Sequence, residues 1–282
     1  PAGQLLSCDY CGNTQAVGDT GAAPAALREL DFRSAVSDQL PATEMAETRV
    51  ITCPNCGATF EFDAKIHAAV CPFCATPFVA DTGMQRQIKP RGVLPFALDE
   101  KAARGALTDW LGSLWFAPGG VQDYARKGRT MSGIYVPYWT FDADTKSTYS
   151  GARGTHYYET RTVTRNGKTE QVRVQKTSWS ATSGRVARFF DDVLVLASRS
   201  LPKRYTDALQ PWDLSAMQPY RDAYLAGFRA EGYQVELQDA FTEARGYMDA
   251  MILRDVRFDI GGDEQRVDYV KTDIGALTFK HV

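Results

Sequence analysis

The most regular hydrophobic pattern in the chain is helical. Leu237, Phe241, Ala244, Met248, Met251 and Ile252 recur at three- and four-residue steps, which places them on one face of a long amphipathic helix, and Gly261-Gly262 closes it. A second run, Ala103, Leu107, Trp110, Leu111 and Leu114, has the same spacing. Asp99 is its cap and Pro118-Gly119-Gly120 its stop, so its apolar face is expected to be buried. Between the two the period changes to that of strands. They start at Gly133-Ile134-Tyr135-Val136-Pro137-Tyr138-Trp139-Thr140-Phe141, and Asn166-Gly167, lying between Val163 and Val172, is a strong hairpin-turn signal. Pro211 to Glu231 mixes short helical pieces, and Arg266 to Val282 returns to strand. Upstream, Leu27, Leu30, Ala35, Val36 and Leu40 fall at loosely helical intervals until Pro41, which reads as a short linker helix packed on its own domain or docked on something apolar. The pattern predicts an α+β fold, an antiparallel sheet with two main amphipathic helices.

A different pattern occupies residues 50–82. Cys53-Pro54-Asn55-Cys56 is followed, after fourteen intervening residues, by Cys71-Pro72-Phe73-Cys74. Two Cys-x-x-Cys turns on separate hairpins bring four thiolates together, and soft sulfur in a closed tetrahedral site favours one Zn²⁺. Gly57 suits the tight turn after Cys56; Ala75 stands at the equivalent place after Cys74, so slightly more strain is expected there, without loss of metal. Ala58 to Phe62 and Ala68 to Val70 read as strands, with Phe60 or Phe62 expected to cover the metal. His67 as a replacement ligand and iron in place of zinc are the alternatives. At the start of the chain, Cys8 and Cys11 form a further Cys-x-x-Cys, the second half of another ribbon whose first half is absent from these residues. They bind a second Zn²⁺ with an upstream knuckle, or bind metal only in a dimer, or not at all. All six cysteines fall in such pairs, which points to metal in a reducing compartment and away from a disulfide framework; a redox dithiol is the other reading. The divisions expected are 1–14, half a ribbon; 15–49, linker; 50–82, the four-cysteine ribbon; and 83–282, the α+β main domain.

Composition narrows the function only a little. With 282 residues, 44% of them hydrophobic, the chain can bury a substantial core. A net charge of −2 exerts no global pull on nucleic acid or anionic lipid. The longest strongly apolar run, Val193 to Ala197, is too short to span a bilayer. Charge is distributed unevenly, however. From Lys146 to Arg188 there are nine basic residues, Lys146, Arg153, Arg161, Arg165, Lys168, Arg173, Lys176, Arg185 and Arg188, against Glu159 and Glu170, a net of +7. Tyr149, Tyr157, Tyr158 and Trp179 are interleaved with them, as a single-strand nucleic-acid platform requires. Arg153, Arg161, Arg165, Lys168, Arg173, Lys176 and Arg185 are therefore candidate anion-binding residues. An anionic lipid surface, an acidic partner, or plain solvated edges guarded by charge fit the same residues. Residues 50–80 carry Lys65 against Glu61 and Asp63, which argues against DNA as the ribbon's own partner.

Several phrases together resemble one family. Cys53-Pro-Asn-Cys-Gly, Gln87-Ile-Lys-Pro with Leu94-Pro-Phe, Tyr135-Val-Pro-Tyr-Trp-Thr-Phe-Asp, Gly184-Arg-Val-Ala-Arg-Phe-Phe-Asp-Asp and Phe279-Lys-His are similar to bacterial TFIIB-type zinc-ribbon proteins. Those are often labelled primosomal protein N′ (replication factor Y) or superfamily II helicase. The resemblance implies two ribbons before an α+β domain, and a place in a larger bacterial assembly, cytoplasmic or peripheral at the inner membrane, beside flotillin- or stomatin-like SPFH proteins. The helicase label finds no support in the residues. Its phosphate loop needs Gly-x-x-x-x-Gly-Lys-Ser/Thr, and Thr162 stands where Gly167-Lys168-Thr169 would need the first glycine.

The three histidines, His67, His156 and His281, carry no local catalytic pattern, and Asp142 with Asp144 and Asp191 with Asp192 read first as turn formers. The expectation is a non-enzymatic zinc-binding scaffold or adaptor with protein partners. A nucleic-acid-binding protein using residues 146–188, or an enzyme with its site in the main domain, are the alternatives. The half-ribbon at Cys8 and Cys11 and the turnless strand pattern up to Val282 also predict a natural protein that extends at both ends. Its intact mass from the native source tests this: a mass equal to that of these residues overturns it.

Overall fold

The computed structural model describes residues 5–7, 14–16, 27–61, 68–71, 74–79, 84–113, 133–165, 168–225 and 228–282. β1 (Leu5–Ser7) and β2 (Thr14–Ala16) pair antiparallel around residues 8–13. β3 (Leu30–Asp31) runs into α1 (Phe32–Val36), where the Asp31 carboxylate accepts the Ser34 N–H at 2.7 Å. β4 (Met45–Thr52) pairs along one stretch with β5 (Thr59–Glu61) and along the other with β8 (Met84–Ile88), while β6 (Ala68–Val70) pairs with β7 (Pro77–Val79). β9 (Gly92–Val93), α2 (Glu100–Ser113) and β10 (Ile134–Tyr135) lead to two very long strands, β11 (Tyr138–Arg165) and β12 (Lys168–Leu196). After α3 (Lys203–Ala208) come β13 (Gln218–Pro219), paired with β9, and β14 (Arg229–Ala230), paired in parallel with β10. α4 (Leu237–Ile260) and β15 (Glu264–His281) complete the chain.

The main sheet has the order β12-β11-β15-β3, antiparallel throughout. Its register follows from alternation. Trp139, Phe141, Ala143 and Tyr149 of β11 are buried on one face, and α4 covers that face with Leu237, Ala240, Ala244, Met248, Ile252, Val256 and Ile260. This is the helix read from the sequence, and Val256 and Ile260 continue its buried face. Gly261, at φ 65, ends it as expected. Phe32 of α1 packs on Phe141, Phe241 and Phe279, so the short helix belongs to this same core. α2 departs from expectation. Asp99 does cap it, accepting the Ala102 N–H at 2.7 Å, but Leu111 is its only buried residue among those described and Trp110 is 58% exposed.

The hairpin is far longer than its cover. The β11–β12 ladder continues to Arg165↔Lys168, which leaves Asn166-Gly167 as the connection, as the turn signal predicts; those two residues are themselves outside the described set. β15 accompanies β11 only from Trp139↔His281 to Gly154↔Glu264. From Thr155 to Arg165 the ribbon is therefore two-stranded, an arm of roughly 35 Å at strand rise.

At the opposite end the layers are locked by His281. It is buried against Trp139 and Tyr233, its Nδ1–H donates to the Ile88 carbonyl at 2.8 Å, and its own carbonyl accepts the Arg91 N–H at 2.7 Å. The Trp139 indole N–H donates to Val235 at 2.9 Å. Burial pushes the His281 imidazole down to about 4 from 6.5. Its pKa is lower folded than unfolded, so the unfolded chain binds the extra proton first. Stability should be intact above about pH 6.5 and fall as pH drops toward 4, by about 3 kcal/mol at the limit. Denaturant midpoints between pH 7 and pH 4 check this: the slope attributable to the imidazole should vanish in His281→Gln. An equal slope in that variant rejects it.

Candidate metal centre

The two Cys-x-x-Cys turns close on the same backbone hydrogen bonds. In the first, the Cys53 N–H donates to Ala58 O at 2.8 Å and the Gly57 N–H to Cys53 O at 2.9 Å. In the second, the Cys71 N–H donates to Thr76 O and the Ala75 N–H to Cys71 O, both at 2.9 Å. Each turn closes through a left-handed residue, Gly57 at φ 74 and Ala75 at φ 59. Each also directs a backbone N–H at its second sulfur, from Ala58 to Cys56 and from Thr76 to Cys74. Among the described residues here, Ala58, Cys53 and Cys71 are buried together, with Cys74 packed against them.

The four sulfurs converge. Cys53 Sγ lies 3.6 Å from Cys74 Sγ, Cys56 Sγ lies 3.6 Å from Cys71 Sγ, and all four are within 4.8 Å of one another. These four cysteines could hold a metal ion. Their electrostatics show why a cation suits them. The Thr76 hydroxyl, the Thr76 N–H and Asn55 hold Cys74 down to about 6, so this sulfur is ready to be a thiolate. Desolvation, and hydrogen bonding to the other three sulfurs, push Cys56 up to about 12. One anion among four crowded sulfurs opposes the next, and a multivalent cation removes that opposition.

The centre is fastened to the main sheet's base. Arg229 Nη1 donates to Val70 O at 3.1 Å, and the Glu231 carboxylate accepts the Thr59 N–H. Glu231 is itself held by Ser200 and by Gln234 Nε2 at 2.7 Å. Cys8, Cys11, His67 and Phe62 lie outside the described residues, as does the side chain of Phe60.

The candidate anion-binding residues divide between the two faces of the ribbon. Arg153, Arg161, Lys168 and Lys176 share the α4 side; Arg173 and Arg185 occupy the opposite, open side, and the Arg165 side chain is not among those described. Four basic groups have partners already: Arg153 Nε donates to Ile260 O at 2.5 Å, Arg188 grips Asp255 at 2.6 and 2.8 Å, and Lys176 and Arg161 both pair with Glu159, Arg161 at 3.9 Å. Tyr149 is no stacking surface. It is 5% exposed, with its hydroxyl donating to Asp259 at 2.6 Å, because it has the same strand parity as Trp139 and Phe141.

The aspartate pairs recombine. Asp142 Oδ1 accepts the Asp192 N–H at 2.7 Å, and Lys280 bridges Asp192 at 2.8 Å and Glu29 at 3.0 Å. Burial and a hydrogen bond to Glu29 push Asp142 up to about 7; Glu29, despite its own burial, is held at about 2 by Asp142, Thr278 and Lys280. Glu29 reaches this cluster from the stretch read as linker, so no local pattern pointed to it.

The repeated turn yields a direct test. A left-handed alanine costs about 1 kcal/mol over glycine, so Ala75→Gly should stabilise the centre by about that amount and Gly57→Ala should destabilise it similarly. Thermal melts and resistance to a chelator, compared across both variants, check it; equal behaviour of the two rejects the equivalence. No family model, no curated protein and no solved structure matches the chain.

Proposed function

We propose that this chain is a non-enzymatic adaptor whose cysteine centre binds one structural Zn²⁺ and supports a protein-docking ribbon. The observation that carries the reading is the closed donor set. For tetrahedral zinc with Zn–S near 2.3 Å, sulfurs sit ~3.8 Å apart, and two sulfur pairs at 3.6 Å with all four inside 4.8 Å accommodate that geometry after small adjustments. Cys53, Cys56, Cys71 and Cys74 would fill every position, so the ion supplies folding energy and offers no open site to a substrate. The ribbon's low basic content favours a protein partner over DNA. The resemblance to TFIIB-type zinc-ribbon proteins supports a bacterial assembly, with SPFH-type proteins as the partner class and the inner face of the membrane as its location. Among the described residues no helix is long and apolar enough to cross a membrane.

Metal analysis of the full chain and of Cys53→Ser tests the reading. The variant should bind one zinc fewer and its residues 50–82 should become protease-sensitive, since zinc contributes on the order of 10 kcal/mol to such units. The β11–β12–β15 sheet should keep its far-ultraviolet signature. Iron in the centre, or no metal, overturns the proposal; an SPFH-type protein retained on native purification supports the adaptor role.

A further inference from the structure

One face of the main sheet is covered by α4 and, among the described residues, the other is open along much of its length. On the open face the middle strand presents small residues in succession, Thr148, Ser150, Ala152 and Gly154. The flanking strands present longer ones. Arg185 and Lys271 stand on either side of Thr148, Tyr269 beside Ser150, and Arg266 beside Ala152. Trp179 lies across Gly154, whose missing Cβ leaves room for the indole, and the Arg266 guanidinium sits 5.8 Å from that ring. A shallow trough results, with rows spaced ~6.8 Å along the strands. Tyr269 is 56% exposed and Trp179 43%. Lys146, Arg185 and Lys271 are in no ion pair among the described residues, although Asp273 stands across the ladder from Lys146, while Arg266 pairs with Asp268 at 3.0 Å.

We propose that this trough binds single-stranded nucleic acid, with Arg185, Lys271 and Lys146 on phosphates and Tyr269 and Trp179 stacking on bases. The combination selects the ligand. A phospholipid surface uses the cations but has no planar groups for the aromatics, and an acidic peptide likewise has no regular series of faces to stack. A single strand offers charge and ring at every repeat, and an antiparallel sheet with exposed aromatics and a basic rim meets both. The site differs from the stretch singled out in the sequence. Lys271, Tyr269 and Arg266 come from β15, while Tyr149, Arg153 and Arg188 drop out because they serve α4, and Lys176 because it pairs with Glu159.

The test uses the full chain and fluorescence anisotropy with a labelled oligo-dT of about 20 nucleotides. Binding should weaken with salt at a log–log slope between about −2 and −3, as three or four single-strand phosphate contacts require. Arg185→Glu combined with Lys271→Glu should reduce affinity by more than about tenfold and flatten the slope. Tyr269→Ala should reduce it by about 5- to 100-fold, and Tyr269→Phe should retain it, since stacking needs the ring and not the hydroxyl. All these positions are on the solvent face, so melting temperatures should stay at the parent value; Trp179→Ala provides an independent aromatic probe. The inference is overturned if oligo-dT does not bind at low salt. It is equally overturned if Tyr269→Ala and Trp179→Ala bind like the parent, or if phosphatidylserine vesicles or polyglutamate bind as tightly as oligo-dT. A metal-free or iron-containing cysteine centre would leave these outcomes unchanged, since the trough and the centre share no residue.

Discussion

One helix against one sheet face is the contact on which the molecule depends. The α4 stripe from Leu237 to Ile260 removes seven side chains from water against β11, β12 and β15. A buried aliphatic side chain contributes about 1.5–3 kcal/mol. The sheet's two faces acquire different chemistry as a result. The covered face must be apolar or satisfied by the helix, as Tyr149 and Arg188 are through Asp259 and Asp255. The other face is left to polar and aromatic groups.

How far the sequence reveals this depends on the range of each signal. The α4 period, the Asp99 cap, the Asn166-Gly167 turn and the cysteine spacing are local, and each is realised or is consistent with the ladder around it. Burial of Tyr149 was also legible, because parity with Trp139 and Phe141 along an uninterrupted strand assigns its face. The open-face residues of β15 were not. β15 pairs with residues more than a hundred positions away, and two register shifts against β11 break its simple alternation. The same holds for Glu29, whose link to Lys280 spans most of the chain. α2 misled for another reason: its spacing is amphipathic, yet periodicity says that a face exists and not what is there to cover it.

The cysteine centre and the sheet are organised by opposite means. Among the described residues of the centre only Ala58, Cys53 and Cys71 form the buried cluster, and two turns closed by the same hydrogen bonds bring crowded sulfurs together in a set that could hold a cation. In the sheet, hydrophobic burial is sufficient. The joint between them is polar, through Arg229 to Val70 and Glu231 to Thr59, so the centre can be held in a fixed place without sharing a core.

The long hairpin has a consequence in time. Its ladder closes on a two-residue connection and can zip outward from there, each new pair only slightly farther apart in sequence than the last. α4 and β15 are made afterwards. On a ribosome, the face bearing Trp139, Phe141 and Phe190 would thus be complete before the helix that covers it emerges, and the inner edge of β11 before its partner strand. A nascent chain of this kind presents a long, half-finished sheet for as long as it takes to synthesise Leu237 to His281, and anything that protects it during synthesis must recognise that apolar face.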